Sequence, residues 1–280
     1  MPIANPLPQY ALETPELGYP LAYTASGAAG GPPFSRTPLI LVHGSLCDYR
    51  YWRWQMPALG QERPVLAPSL RGFWPSAFSA ADASFSIARH VRDLIEFIRR
   101  AAGGRPVHLL GHSRGAHVVL ELGCTAPELM KSMILADPGF RIAGDPDVPA
   151  FQLEVVEKLE RGDLEAAMAQ FVDTVNGAGT WRRMVGWFKA MVRDNAYTLL
   201  SQVRESGLRF DLTRVRQIDC PVLLLGGADS PSTYRRRIDS LEPLFTRVER
   251  ATIPLASHGM NLANPRAFND RVLEFLKSGG

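Results

Sequence analysis

The stretch Pro106-Val107-His108-Leu109-Leu110-Gly111-His112-Ser113-Arg114-Gly115 runs from an apolar segment into the start of a helix through a single turn. A short continuous apolar run is how a strand buried on both faces of a parallel sheet reads. Gly115 to Thr125 then has helical character and is closed by Pro127. Between strand and helix stands Gly111-His112-Ser113-Arg114-Gly115, a G-x-S-x-G sequence. A nucleophilic serine must project from a tight strand-to-helix turn, and small residues on both flanks remove the side chains that would clash there. The helix N-terminus beyond it offers free N–H groups and the positive end of a dipole to a developing oxyanion. Taken alone the pentapeptide also fits a tight turn with an idle serine. The strand before it and the helix after it give the serine its significance.

Outward from this turn, strands and helices alternate. Leu21 to Thr24 reads as the end of an early strand, followed by a Gly/Pro connection over Gly27 to Pro33. Pro38 to His43 is a second apolar run, ending in Gly44. Tyr49 to Leu59 has helical spacing, and Pro64 to Pro68 reads as a strand opening into Arg71-Gly72-Phe73-Trp74. Ser84 is placed to cap a helix whose Ile87, Val91, Leu94, Ile95 and Ile98 recur at three- and four-residue steps, stopping at Gly103-Gly104. Ser132 to Ala136 is a further strand, ending at Asp137-Pro138-Gly139. From about 141 to 210 the rhythm changes to amphipathic helices over Phe151 to Leu159, Leu164 to Val172 and Trp181 to Leu200. Alternation returns with a strand over Cys220 to Gly226, a helix over Ser232 to Leu241, a strand over Val248 to Ile253 and a last helix over Pro265 to Lys277. Alternation on both sides of an all-helical stretch implies one α/β domain, mostly parallel in its sheet, carrying a helical insertion.

Composition narrows the function classes. The 280 residues are 46% hydrophobic and 21% charged, ordinary for a chain with a large core. The 31 Lys+Arg against 28 Asp+Glu leave a surplus of only +3, and the densest basic run, Arg235-Arg236-Arg237, reads as a solvated helix face, so no nucleic acid is expected. Cys47, Cys124 and Cys220 show no metal-site spacing and suit a reducing compartment. Met1 to Pro8 lacks the features of a signal peptide, and no apolar run approaches about 20 residues, so no membrane association is expected and the cytoplasm is the expected location. No P-loop or strand-following G-x-G-x-x-G is present, so neither cofactor nor metal is expected.

A serine attacks only when a base takes its proton. Of the six histidines, His43 and His112 belong to turns, His90 is assigned to the polar side of its helix, His108 to a strand interior and His117 to the helix after Ser113. His258 lies in the loop Ala256-Ser257-His258-Gly259-Met260 between the last strand and the last helix. Loops at the carboxyl edge of a parallel sheet are where catalytic groups gather, so His258 is the candidate base.

With Ser113 and His258 placed, nearly the whole chain resembles the α/β-hydrolase fold family. The matching features are His43-Gly44, Arg71-Gly72, the Gly111 to Gly115 elbow and His258 near the end. The resemblance implies an eight-stranded, mostly parallel sheet built from residues 1–140 and 211–280, flanked by helices, with 141–210 as a helical cap. It also implies an oxyanion hole made by the backbone N–H groups of Ser45 and Arg114. The acid has two candidates. Gly226-Gly227-Ala228-Asp229 fits the usual pattern after the seventh strand, yet the usual nine-residue spacing from Pro221 reaches Ser230 instead. Gly227-Ala228-Asp229-Ser230-Pro231 resembles a subgroup whose acid follows the sixth strand, where Asp137 stands. We favour Asp137 and keep Asp229 as the alternative; as a plain turn residue before proline, Asp137 would also be unremarked.

The expected activity is a serine hydrolase cleaving a carboxylic ester or lactone of a small, apolar molecule through an acyl-enzyme on Ser113. The alternatives are carbon–carbon bond hydrolysis of a diketone-like substrate, or a non-catalytic ligand-binding protein on the same fold. Tyr51, Trp74, Trp181, Trp187 and Phe188 are the pocket candidates, against the plainer reading that such aromatics pack the cap onto its own core. Nine Lys/Arg against ten Asp/Glu between 141 and 210 give no sign of an anionic substrate. The expected partner is a small-molecule substrate, and a homodimer is an open option.

Overall fold

The computed structural model describes residues 7–27, 32–80, 82, 84–145 and 150–279. Its strands are β1 Tyr10–Leu12, β2 Leu21–Ser26, β3 Leu39–Val42, β4 Val65–Pro68, β5 Val107–His112, β6 Met130–Ala136, β7 Val222–Gly227 and β8 Val248–Ile253. They form one sheet in the order β1-β2-β4-β3-β5-β6-β7-β8. β1 and β2 pair antiparallel and β2 meets β4 antiparallel; all later pairs are parallel. The eight-stranded, mostly parallel sheet expected from the sequence is therefore present.

Every residue of β3, β4 and β5 is buried, which explains why these strands read as unbroken apolar runs. Successive side chains point to opposite faces. Ile40 and Val42 join the cluster that contains Val91, Leu94, Ile98 and Val119, from α2 Ile87–Ala101 and α3 Arg114–Thr125. Leu39 and Leu41 join the opposite cluster, with Met56 of α1 Gln55–Leu59. Between β6 and β7 come α4 Ala150–Glu160, α5 Leu164–Asn176, α6 Thr180–Arg183, α7 Gly186–Asp194 and α8 Leu199–Gln202, with no strand among the described residues. Val155, Met168, Val172, Met191 and Leu199 from these helices belong to the same apolar cluster as Leu39 and Leu41. The helical segment therefore shares the core of the sheet. α9 Ser232–Leu241, α10 Met260–Ala263 and α11 Pro265–Lys277 complete the chain, and no described helix is long and apolar enough to cross a membrane.

Several local expectations change. The helix expected over Tyr49 to Leu59 is a 3₁₀ turn, Tyr49–Trp52, followed by α1. The helix α2 is capped by Ser86, not Ser84: Ser86 is extended and its side chain accepts from Arg89 N–H at 3.1 Å. The single helix expected over Trp181 to Leu200 is divided, because Val185 adopts an extended ψ of 156° and Asn195 turns its side chain back onto Met191 O at 2.8 Å. His90 is fully buried, not on a polar face, and bonds Arg71 O through Nε2 at 3.1 Å. Arg237 departs from the solvated basic face expected for 235–237, because its guanidinium turns inward to Phe140 O and Asp145. Residues 28–31 of the Gly27–Pro33 connection, 1–6 at the N-terminus and 146–149 within the 141–210 segment lie outside the described residues.

Candidate active site

His112 and Ala136 are register partners at the ends of β5 and β6, so the next residue of each strand emerges at the same carboxyl edge of the sheet. Those residues are Ser113 and Asp137, and both have left-handed backbones, with φ of 54° and 40°. A side-chain-bearing residue held this way costs on the order of 1–3 kcal/mol and persists only where its surroundings fix it. Here Ser113 N–H donates to Ala136 O at 3.0 Å, Gly139 N–H to Ser113 O at 2.9 Å and Asp137 N–H to Leu225 O at 2.9 Å. The elbow also depends on close approach of backbone. A Cβ on Gly115 would stand 2.1 Å from Val42 O and 2.4 Å from His43 O, so only glycine lets α3 leave beside β3.

The loop after β8 brings His258 back to this edge. Its Nδ1 lies 3.2 Å from Asp137 Oδ2, with Asp137 fully buried and His258 5% exposed. The loop is held from two sides: His112 Nε2 donates to His258 O at 2.8 Å, and Gly259 N–H donates to Asn176 Oδ1 of α5 at 2.8 Å. Burial drives the His112 imidazole well below its ordinary value, so the ring is neutral, with its hydrogen on the Nε2 that faces this carbonyl. Asp229 is exposed and makes its hydrogen bond to this loop through the backbone, N–H to Ala256 O at 2.9 Å. Ser230 Oγ instead donates to Asp137 Oδ2 at 2.5 Å. The residue nine positions beyond Pro221 therefore contributes a hydroxyl to a carboxylate brought from β6.

The turn after β3 approaches from the other side. A Cβ on Gly44 would meet Ser113 Cβ at 2.9 Å, which sets the following residue, Ser45, beside the elbow. His43 pins this turn: Nδ1–H donates to Gly44 O at 2.9 Å and Nε2 accepts from Leu70 N–H at 2.9 Å. That pairing needs a neutral ring, and burial pushes its pKa down to about 4. Arg114 opens α3, so its N–H is one of the donors a helix start leaves unpaired. Both residues are tied to the helical segment. Ser45 Oγ donates to Gln202 Oε1 at 2.6 Å, and the buried Arg114 guanidinium pairs with Glu205 at 2.6 Å. Glu205 also accepts from Ile87 N–H at 2.9 Å.

A cavity of about 1690 Å³ opens over Ser113 and His258 and is lined in part by Tyr51, Trp187, Phe188 and Tyr234. Two of the aromatic candidates do not line it. The Trp74 ring lies under the Arg50 guanidinium at 3.7 Å and against Tyr49 at 5.6 Å. Trp181 is buried, with Lys189 and Arg193 over its ring at 5.3 and 5.5 Å. Trp74 is thus held by a cation and a neighbouring ring, and Trp181 by two cations, away from the cavity lining. The other histidines have separate duties: His108 Nδ1 meets Ser132 Oγ at 2.7 Å, and His117 packs against Phe140 at 5.4 Å. Sequence reasoning missed Gln202, Glu205 and Tyr234. The first two carry no motif, and Tyr234 stands in the first turn of α9, just after the Ser230-Pro231 turn that the sequence did mark.

A sheet of this order with a serine elbow at the end of β5 defines a class of protein, the hydrolases of the α/β fold. The chain belongs to the alpha/beta hydrolase family, which it matches over residues 39–271. It is similar to the dihydrolipoyllysine-residue acetyltransferase component of an acetoin cleaving system from Pseudomonas putida, at 27% identity over 263 residues. That match covers 90% of this chain but 65% of the relative, which is longer. It is 23% identical over 241 residues to (E)-2-((N-methylformamido)methylene)succinate hydrolase of Acinetobacter baylyi, covering 86% of this chain and 90% of that one. Among solved structures, a thermophilic esterase from Thermogutta terrifontis superposes with a TM-score of 0.77 at 20% identity, covering 97% and 98% of the two chains.

Proposed function

We propose that the protein hydrolyses a carboxylic ester or lactone of a small, apolar molecule through an acyl-enzyme on Ser113. The observation that carries this reading is the 3.2 Å contact between His258 Nδ1 and buried Asp137, formed beside a serine held at φ 54°. Asp137 fixes the tautomer in which Nδ1 carries hydrogen, leaving Nε2 as the basic nitrogen. Ser113 Oγ attacks the carbonyl carbon while its proton passes to Nε2, and the carbonyl oxygen becomes an oxyanion. The N–H groups of Ser45 and Arg114 receive that charge, and losing one such donor typically costs about 100- to 1000-fold in rate. The proton on Nε2 then goes to the leaving oxygen as its bond to carbon breaks. Water, deprotonated by the same nitrogen, releases the acid and restores Ser113.

The segment 141–210 acts as the cap, and its Trp187 and Phe188, with Tyr51 from the core, form the apolar contact with the substrate. The hydrolase name of the Acinetobacter relative and the esterase fold of the Thermogutta neighbour support hydrolysis of a carbonyl substrate. Aryl-ester turnover tests the reading. The wild-type protein should give a burst of one phenol per protein molecule, and Ser113→Ala should abolish the burst and lower turnover by more than about 1000-fold. An undiminished rate in Ser113→Ala would overturn the mechanism.

A further inference from the structure

The segment from Ser230 to the first turn of α9 touches the carboxylate and the imidazole of the proposed triad and lines the cavity over its serine, although it contributes none of the three. Ser230 Oγ bonds the carboxylate of Asp137. Four residues on, the Tyr234 ring stacks on the His258 imidazole with centroids 4.1 Å apart and planes 17° apart. The Tyr234 side chain also lines the cavity that opens over Ser113, and Ser113 draws the buried phenol's pKa down, against the larger upward push of burial. A tyrosine kept only for packing would need its ring alone. This one adds a hydroxyl to the wall of the cavity that also holds the proposed reacting atom.

Resting on the reading of Ser113 as nucleophile, we propose that Tyr234 is a further catalytic residue, whose hydroxyl hydrogen-bonds the oxygen that departs from the substrate carbonyl. With the serine proton committed to His258 Nε2, the phenol O–H is the group left to donate toward Ser113 Oγ. Once Oγ is bonded to carbon it is a poorer acceptor, and the phenol is left beside the tetrahedral carbon. The stack holds that hydroxyl alongside the imidazole that delivers the proton. His258 Nε2–H then gives its proton to the leaving oxygen as the C–O bond breaks. Tyr234 gives a hydrogen bond to the same oxygen and keeps its own proton throughout. Burial raises the phenol above its ordinary value, so it remains a donor at neutral pH. The ring has a second effect: after proton transfer the imidazolium faces the negative face of an aromatic ring.

Hydrogen bonding to a leaving oxygen matters in proportion to that oxygen's basicity, which a merely structural tyrosine would not sense. The experiment measures kcat/KM for esters of one acyl group whose leaving groups run from nitrophenol to a simple alcohol. Rates are normalised to sites labelled by a serine-directed phosphonate, so that only folded protein is counted. In Tyr234→Phe the loss should be about 10- to 100-fold larger for the alkyl ester than for the nitrophenyl ester. Tyr234→Leu, which also removes the ring, should add a further loss common to the whole series. Equal losses across the series in Tyr234→Phe, or none at the alkyl end, would overturn the assignment. Turnover retained in Ser113→Ala would instead remove the serine mechanism itself, so the two failures are distinct.

Discussion

Asp137 combines three features that seldom coincide: a φ of 40°, a position directly before proline and complete burial. The residue before proline is normally extended, and aspartate tolerates the left-handed region better than most residues. The conformation turns the carboxylate across to His258, which a regular strand exit would not do. Asp137→Asn keeps the shape but favours the wrong imidazole tautomer, so kcat should fall by about 1000- to 10,000-fold. Asp229→Asn, on an exposed side chain, should leave kcat within a few-fold in the same assay. A sensitive Asp229 would transfer the role of acid to it. Ser113 and His258 were legible as candidates because a turn type and a loop position single them out. The choice between two aspartates was not, since it depends on which carboxylate meets an imidazole more than a hundred positions away along the chain, as Asp137 does.

At the scale of elements, the helical segment between β6 and β7 holds both residues of the proposed oxyanion hole. Gln202 takes a hydrogen bond from Ser45, and Glu205 pairs with Arg114 while accepting from the N-terminus of α2. The Arg114 and Glu205 side chains are 10% and 16% exposed, so removing one partner leaves a charge stranded away from water. Glu205→Ala should therefore cost about 3–5 kcal/mol in urea unfolding, and Arg114→Leu combined with Glu205→Ala should recover most of it. A double variant as unstable as Glu205→Ala alone would show that the charge is not what matters. The existence of these helices was readable from apolar spacing. Their breaks at Val185 and Asn195 were not, because an extended ψ and a side-chain bond to a carbonyl leave no mark on hydrophobic periodicity. Ser84 and Ser86 are equally good cap residues by type, and only the path of the chain selected the second.

Across the whole molecule, burial keeps several imidazoles neutral. His43 and His108 are pushed down to about 4 and about 3, and His90 and His112 well below their ordinary value. A histidine whose folded pKa is depressed is protonated in the unfolded chain first, from about pH 6.5 downward. Unfolding then takes up protons, so stability is full above that pH and is lost as pH falls toward the folded value. Each such histidine contributes a slope of about 1.4 kcal/mol per pH unit, and His43 alone should cost about 3 kcal/mol by pH 4. Urea unfolding at steps between pH 7 and pH 4 checks this, and a flat profile would contradict neutral buried rings. His90 shows the limit of local reading, since its helix looked amphipathic with this residue outside, while the turn after β4 covers it. By itself the sequence determined the parallel sheet, the elbow at Ser113, the helical insertion and the loop histidine, because each follows from the apolar period and turn chemistry of a few neighbouring residues. The tertiary structure alone decided which carboxylate faces His258, which aromatics reach the cavity, and that Ser230 and Tyr234 close on Asp137 and His258. Those outcomes depend on contacts between distant segments, and a hydrogen bond or ring stack across the sheet edge has no periodicity along the chain.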